Sequence, residues 1–169
     1  RGSNVRVLMT EAAQKFVTKL TFEALSGAPV LTNMFDDGAF GTSHIEAARW
    51  AELFVIAPAT ADTIAKMANG VANDSVSTVH LAYRGRIVIA PAMNTAMWEH
   101  PALQANLQTL RTRGVEIVPP EVGELACGER PAAGGPRLAV LLHLIHRCES
   151  PPRHGVEPNN CRWIGDESR

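Results

Sequence analysis

An asparagine framed by methionine and tryptophan side chains is the first candidate for chemistry in this sequence. Asn94 lies between Met93 and Met97, and Trp98 follows, in a segment that begins after Pro91. A polar amide among soft and aromatic side chains is typical of a small-molecule pocket, where a few polar groups fix the orientation of a ligand. The alternative interpretation is a strand end with a few buried side chains, as in most segments of this kind.

The apolar run before this segment has a second copy earlier in the chain. Residues 55–60 read VIAPAT and residues 88–93 read VIAPAM. Unbroken apolar runs are expected of strands that are covered on both faces of a parallel sheet, and proline ends the pairing of such strands. The repeat therefore predicts two adjacent strand ends that open into one crevice, where open α/β sheets bind ligands.

Three further residues could contribute to chemistry. Thr10 follows an apolar run and suits the N-cap of a helix, whose free N–H groups attract anions, although simple capping would explain this residue by itself. His44 stands at a loop–helix junction, which leaves a catalytic role open beside a surface or capping role. Cys127 lies in a segment rich in Gly and Pro that could form a mobile lid.

The elements that would position these residues alternate between strands and helices. Strands are predicted at 5–9, 30–35, 53–59, 86–90 and 115–118, and helices at 10–26, 44–53, 61–69, 75–83, 100–113 and 138–146. This alternation predicts a doubly wound, mostly parallel sheet. The first helix should bury Phe16, Leu20, Phe22 and Leu25. Residues 1–146 are predicted to form one domain, and the polar residues 147–169 a disordered tail.

Composition restricts the class of protein. The 169 residues suffice for one domain with a core, and 46% hydrophobic and 20% charged residues are typical of globular proteins. A net charge of −1 argues against nucleic acid and anionic membranes as partners. The lack of a long apolar run or a signal-peptide pattern predicts a cytoplasmic location.

Common cofactor, nucleotide and metal motifs are missing from the sequence. It contains none of the patterns GxGxxG, GxxxxGK[ST], HExxH or GxSxG. His146, Cys148, His154 and Cys161 have a spacing that matches no trusted zinc pattern, so no metal site is predicted.

Four segments carry a resemblance to a known family. They are PAMNTAMW at 91–98, HIEAARWA at 44–51, APATADT at 57–63 and LACG at 125–128. In sequence and order they resemble the flavin-dependent cysteine decarboxylases, over about residues 5 to 138. The resemblance implies a flavodoxin-like fold with three layers. Members of that family begin with a strand and a Gly/Ser-rich turn, so the first strand is expected to be missing or to lie outside this sequence.

The resemblance also implies an activity. It is the FMN-dependent decarboxylation of 4′-phosphopantothenoylcysteine to 4′-phosphopantetheine in coenzyme A biosynthesis, a carboxy-lyase reaction. Loss of CO₂ alone would leave an unstabilised carbanion, so the cofactor is needed as an electron sink. By resemblance, His44 is the base for the substrate thiol, Asn94 hydrogen-bonds the substrate carboxylate, and Cys127 protonates the enethiol in the last step.

The remaining site residues follow from the same resemblance. Cofactor contacts are implied for Thr10, Glu11, Ala12, Phe16, Thr60, Ala61, Asp62, Thr63 and Ala92. Substrate contacts are implied for Asn94, Met97, Glu124, Ala126 and Leu138. At position 62 the family often has Asn, whereas the carboxylate of Asp62 can accept but not donate a hydrogen bond unless it is protonated.

Other functions stay open at this point. The first alternative is oxidative decarboxylation of a peptide C-terminal cysteine to an aminoenethiol in modified-peptide biosynthesis, for which Cys127 would be dispensable. The second is a non-catalytic regulatory subunit of the same fold. The resemblance further implies a homotrimer or higher assembly with its pocket at the subunit interface, where His44 and Asn94 would meet across that interface.

Overall fold

The computed structural model describes residues 4–33, 43–121 and 135–136 of the chain, which divide into two compact units. The first unit contains residues 4–33, 43–52 and 72–84. The second contains residues 53–71, 85–121 and 135–136. The predicted helix at 138–146 and the predicted tail at 147–169 lie outside the described residues, and the single domain at 1–146 stays a prediction.

A three-stranded parallel sheet forms the centre of the second unit. Its strands are β1 (Leu53–Ala59), β2 (Arg86–Pro91) and β3 (Glu116–Ile117), in the order β1-β2-β3. The register pairs Val55 with Val88, and the side chain of Val88 is fully buried. Strand β2 is buried from Val88 to Pro91, as expected of an unbroken apolar run, whereas β1 exposes Ala57 and Pro58. The predicted α/β fold with a parallel sheet is confirmed.

Two helices of the second unit pack against each other, α3 (Ala61–Asn69) and α6 (Pro101–Thr112). Both expose a polar face, and α6 buries Leu107 and Leu110 completely, as its apolar periodicity predicts. Helix α3 ends at Gly70, which takes a left-handed conformation with φ of +69°. In most other residues the beta carbon would clash with the backbone in this conformation. Glycine has no beta carbon, so it can end the helix here.

The segment between β2 and α6 contains a short helix that the sequence did not predict. Helix α5 (Thr95–Glu99) lies where a loop was expected. A second unexpected element is the antiparallel pair of β4 (Pro120–Glu121) and β5 (Gly135–Pro136). Strand β4 begins with a proline, Pro120, and proline has no backbone N–H. It is compatible with the first position of a strand, because that position can do without an N–H donor.

The first unit contains a 3₁₀ turn (Ala13–Lys15) and the helices α1 (Lys19–Ser26), α2 (Ser43–Trp50) and α4 (Ser75–Ala82). Helix α2 packs against α4. The predicted strand at 5–9 appears only as a single parallel bridge between Leu8 and Leu31. None of the helices in the described part of the chain combines the length and hydropathy needed to cross a membrane.

The prediction of one continuous helix from Thr10 with a buried apolar face is wrong. The 3₁₀ turn ends at Lys15, and α1 begins only after Thr18, which is extended. This break removes the common helical face, because residues on either side of it no longer share one periodicity. Consequently Phe16 is 89% exposed and Leu20 is 72% exposed.

Candidate active site

The carboxyl ends of β1 and β2 lie side by side, as the repeated sequence predicts. Ala59 is paired with Pro91, and the N–H of Ala92 donates to the carbonyl of Ala59 at 3.2 Å. Thr60 and Asn94 then begin the helices α3 and α5. Two helix N-termini thus follow neighbouring strand ends, the arrangement in which open α/β sheets bind ligands.

The side chain of Asn94 caps its own helix. Its Oδ1 atom accepts a hydrogen bond from the N–H of Met97 at 2.8 Å. This contact identifies the carbonyl end of the amide, because only an oxygen can accept from a backbone N–H. The Nδ2 group keeps both hydrogens and has no partner among the described residues. Asn94 is therefore held as a double hydrogen-bond donor, which suits a carboxylate ligand.

The start of α3 offers a second group of donors. Thr60 Oγ1 accepts from the N–H of Thr63 at 3.2 Å and lies 3.1 Å from Thr63 Oγ1. Because one hydroxyl must donate to the other, one hydroxyl hydrogen of the pair stays free. The N–H groups of Ala61 and Asp62 belong to the first helical turn and have no partner within the described residues. This helix start therefore presents two backbone donors and one hydroxyl donor.

Two other predicted cofactor contacts are restricted by their existing bonds. The carboxylate of Asp62 pairs with Lys66 Nζ at 2.8 Å and is 71% exposed, so its backbone N–H is the better group for a ligand. The N–H of Ala92 is bonded to Ala59, which leaves the carbonyl of Ala92 as an acceptor. These donors and the acceptor match a flavin, whose ring carbonyls, ring N–H and phosphate oxygens need such partners.

A cavity of about 440 Å³ lies between α3, α5 and α6 in the second unit. Its wall is mainly apolar and is formed by Ala61, Ala65, Ala96, Met97, Ala102 and Leu103. Three polar side chains also line it, namely those of Asn94, His100 and Asn106. The volume falls within the range of about 300–1,000 Å³ that is typical of small-molecule pockets. Met97 is 46% exposed and therefore accessible to a ligand.

The predicted site residues of the first unit surround the 3₁₀ turn and the start of α2. Thr10 Oγ1 accepts from the N–H of Ala13 at 3.1 Å, although the N-cap residue of the 3₁₀ turn is Ala12 and not Thr10 as predicted. Glu11 and Ala12 are exposed.

His44 is the second residue of α2. Its Nδ1 atom is buried and has no hydrogen-bond partner among the described residues, and the same holds for Ser43 Oγ. An unpaired buried polar atom is unfavourable, so the Nδ1 atom of His44 would gain from a hydrogen bond to a ligand. The free Nδ1 atom is consistent with a group that acts on a ligand.

The structure thus brings Thr60, Ala61, Asp62, Thr63, Ala92, Asn94 and Met97 together in the second unit. Thr10, Glu11, Ala12, Phe16 and His44 belong to the first unit. Cys127, Glu124, Ala126 and Leu138 lie outside the described residues, so their roles stay predictions. His100 was not considered as a site residue, although its place before Pro101 marks it as a helix cap.

The amino-acid sequence matches a family model described as Flavoprotein over residues 1–148. The chain belongs to the Flavoprotein family. The predicted resemblance is therefore confirmed at the level of the family.

Sequence relatives of this Flavoprotein chain carry the name coenzyme A biosynthesis bifunctional protein CoaBC. The protein of Escherichia coli (strain K12) is 48% identical over 130 residues, which are 76% of this chain and 32% of the relative. That of Vibrio parahaemolyticus is 44% identical over 150 residues, or 88% of this chain and 37% of the relative. The chain therefore spans about a third of the length of these curated relatives.

Two solved structures share the fold of this Flavoprotein chain. The FMN-dependent cysteine decarboxylase SpaF has a TM-score of 0.72 and 36% identity, covering 85% of this chain and 79% of SpaF. A mutant of PPC decarboxylase complexed with pantothenoylaminoethenethiol has a TM-score of 0.74 and 28% identity, covering 86% of this chain and 82% of the other. The predicted flavodoxin-like fold class is confirmed.

Proposed function

We propose that this chain binds FMN and decarboxylates 4′-phosphopantothenoylcysteine to 4′-phosphopantetheine in coenzyme A biosynthesis. The observation that carries the proposal is the amide of Asn94, which is held as a double donor in a cavity beside the strand ends. A cysteine carboxylate matches this donor pair. The names of the CoaBC relatives and of PPC decarboxylase support the choice of substrate.

FMN would be held by the residues that begin α3 and follow β2. The backbone N–H groups of Ala61 and Asp62 and one hydroxyl of the Thr60–Thr63 pair would donate, and the carbonyl of Ala92 would accept. We add Thr10, Glu11, Ala12 and Phe16 of the first unit as further contacts, on the basis of the family resemblance. When bound, FMN supplies the electron sink that the decarboxylation needs and the hydride for the final reduction.

The side chains of this chain would bind the substrate and move its protons. Asn94 donates both Nδ2 hydrogens to the carboxylate and fixes the cysteine in place. His44 accepts the proton of the thiol, which leaves the sulfur as a thiolate. Met97 forms an apolar wall that keeps water from the reacting carbon. Cys127 gives a proton to the enethiol, and Glu124, Ala126 and Leu138 complete the substrate contacts.

A homotrimer or higher assembly in the cytoplasm forms part of the proposal. Phe16, Leu20 and Leu25 are 89%, 72% and 66% exposed in the first unit. Exposed large apolar side chains are typical of an interaction surface, and we propose that a second copy of the chain covers them. On the basis of the family resemblance, we propose that the substrate pocket lies at a subunit interface.

The Thr60→Val variant is expected to bind FMN about tenfold more weakly, because it breaks the Thr60–Thr63 hydroxyl pair that would supply a donor to the cofactor. It also loses the cap of α3, which lowers the free energy of unfolding by about 1 kcal/mol. Flavin fluorescence titration and urea denaturation measure the two effects. Thr60→Ser keeps both hydroxyl contacts and serves as the matched control. Equal FMN affinity of Thr60→Val and wild type would exclude Thr60 from the flavin site.

A peptide substrate is the second candidate, which the family resemblance implies; the description of SpaF, an FMN-dependent cysteine decarboxylase 36% identical to this chain, fits a cysteine in either compound. The experiment that separates the candidates is release of CO₂ by the flavin-loaded protein from two compounds. One is 4′-phosphopantothenoylcysteine and the other is a peptide that ends in cysteine. We expect release from the first compound and little from the second. The opposite preference would favour modified-peptide biosynthesis, and a protein that gains no flavin absorbance would favour the regulatory subunit.

A further inference from the structure

An ion pair in helix α3 includes one of the residues that are proposed to hold FMN. The carboxylate of Asp62 lies 2.8 Å from Lys66 Nζ, four positions further along the helix. Asp62 also supplies one of the two backbone N–H groups that are assigned to the cofactor. Its side chain is 71% exposed, whereas that of Lys66 is 20% exposed. A negative charge therefore stands in the first turn of α3, and a positive charge lies against it.

Helix stability alone is the simpler explanation of this pair. An acidic residue in the first turn suits the positive end of the helix dipole, and a basic residue four positions later can pair with it. Exposed pairs of this kind contribute little to stability. This explanation predicts a small effect of the pair on unfolding and no effect on the binding of a cofactor.

The charge of FMN gives the pair a second possible effect. A phosphate monoester carries a charge of about −1.5 to −2 at pH 7. The free N–H groups at the start of a helix attract such an anion. An uncompensated carboxylate on Asp62 would repel the same anion and oppose the attraction by the N–H groups beside it. The ammonium group of Lys66 offsets this repulsion, because it lies in contact with the carboxylate.

We propose that Lys66 neutralises the carboxylate of Asp62 and thereby sets the affinity of the α3 start for FMN. The inference rests on the proposed function, which assigns the cofactor to this helix start. Lys66 acts through Asp62, so it is a positioning residue and not a catalytic one. If the inference holds, the affinity for FMN follows the net charge of the pair. It is highest when only the ammonium remains, lowest when only the carboxylate remains, and intermediate when both or neither are present.

Three variants separate charge from structure. Asp62→Asn leaves the ammonium alone, Lys66→Met leaves the carboxylate alone, and the double variant removes both charges. Asparagine and methionine keep nearly the size of the side chains that they replace. We expect the dissociation constant for FMN to rise about fivefold in Lys66→Met, to fall about fivefold in Asp62→Asn, and to return to near the wild-type value in the double variant. Flavin fluorescence titration measures these constants.

Lys19→Met is the matched control for Lys66→Met. Lys19 pairs with Glu23 in α1 at the same spacing along the helix, with Nζ 3.5 Å from the carboxylate. Its replacement changes the net charge of the chain by the same amount, and neither Lys19 nor Glu23 is assigned to the cofactor. The dissociation constant for FMN should therefore equal that of wild type.

Ionic strength provides a second readout of the same variants. The fivefold differences should shrink between about 0.1 M and about 1 M KCl, because the Debye length falls from about 10 Å to about 3 Å. Differences that do not change with salt, or a double variant that binds FMN as weakly as Lys66→Met, would indicate a structural effect and overturn the inference. A loss of affinity in Lys19→Met equal to that in Lys66→Met would also overturn it.

The failure of the inference can be told apart from that of the proposed function. Equal dissociation constants for FMN in wild type and in all three folded variants of the pair would overturn the inference and leave the proposed function intact. A wild type that gains no flavin absorbance when FMN is added would overturn both.

Discussion

The His44→Asn variant is expected to lose turnover of 4′-phosphopantothenoylcysteine by about 10²–10⁴-fold, the usual contribution of a general base. The Nδ1 atom of His44 is buried without a partner among the described residues, so it is free to take a proton from a ligand. Asparagine has a similar size near the backbone and lacks a basic nitrogen. The variant should therefore bind FMN with unchanged absorbance while kcat falls.

His80→Asn is the matched control for this experiment. His80 lies in α4 of the same unit and is also partly buried, but no catalytic role is assigned to it. We expect its kcat to stay near that of wild type. Turnover by His44→Asn at the wild-type rate would exclude His44 as the base. Equal losses in both variants would indicate damage to the first unit instead of lost chemistry.

The Asn94→Asp variant is expected to lower kcat/KM by at least about 100-fold. Two donors to the substrate carboxylate disappear, and each hydrogen bond to a charged group contributes about 1.5–3 kcal/mol. The new carboxylate also repels the substrate. Aspartate is as good an N-cap as asparagine, so α5 should keep its start and the midpoint of urea denaturation should stay near that of wild type.

Two further variants separate the cap from substrate binding. Asn94→Ser keeps the cap and removes the amide donors without adding a charge, so its kcat/KM should lie between those of wild type and Asn94→Asp. Asn94→Ala also loses the cap and should unfold with a free energy lower by about 1 kcal/mol. If the activity of these variants follows their stability and not the number of amide donors, Asn94 has only a structural role.

Local signals explain why much of the second unit could be predicted. The apolar run of β2 indicates its burial, and Thr60 and Gly70 mark the two ends of α3. The VIAPA sequence that β1 and β2 share predicts that the ends of these strands lie side by side, and the register of the two strands confirms this. These features depend on neighbouring residues along the chain, so the sequence alone contains them.

Features that depend on distant residues could not be predicted in this way. The exposure of Phe16 depends on the break between the 3₁₀ turn and α1, and apolar periodicity does not reveal such a break. Helix α5, which Asn94 caps, was predicted as a loop, because a helix of five residues is too short to show an apolar periodicity. The cavity joins residues from three helices, and nothing local connects Ala65 with His100.

The mass of the product is the measurement that tests the proposed decarboxylation most directly. The purified chain is loaded with FMN, incubated with 4′-phosphopantothenoylcysteine and examined by mass spectrometry. We predict a product that has lost one CO₂ and kept all its hydrogens, because in the proposed reaction Cys127 would supply a proton and bound FMN the hydride. Recovery of the substrate at its original mass, or a product that has lost two hydrogens in addition to CO₂, would contradict the proposed function.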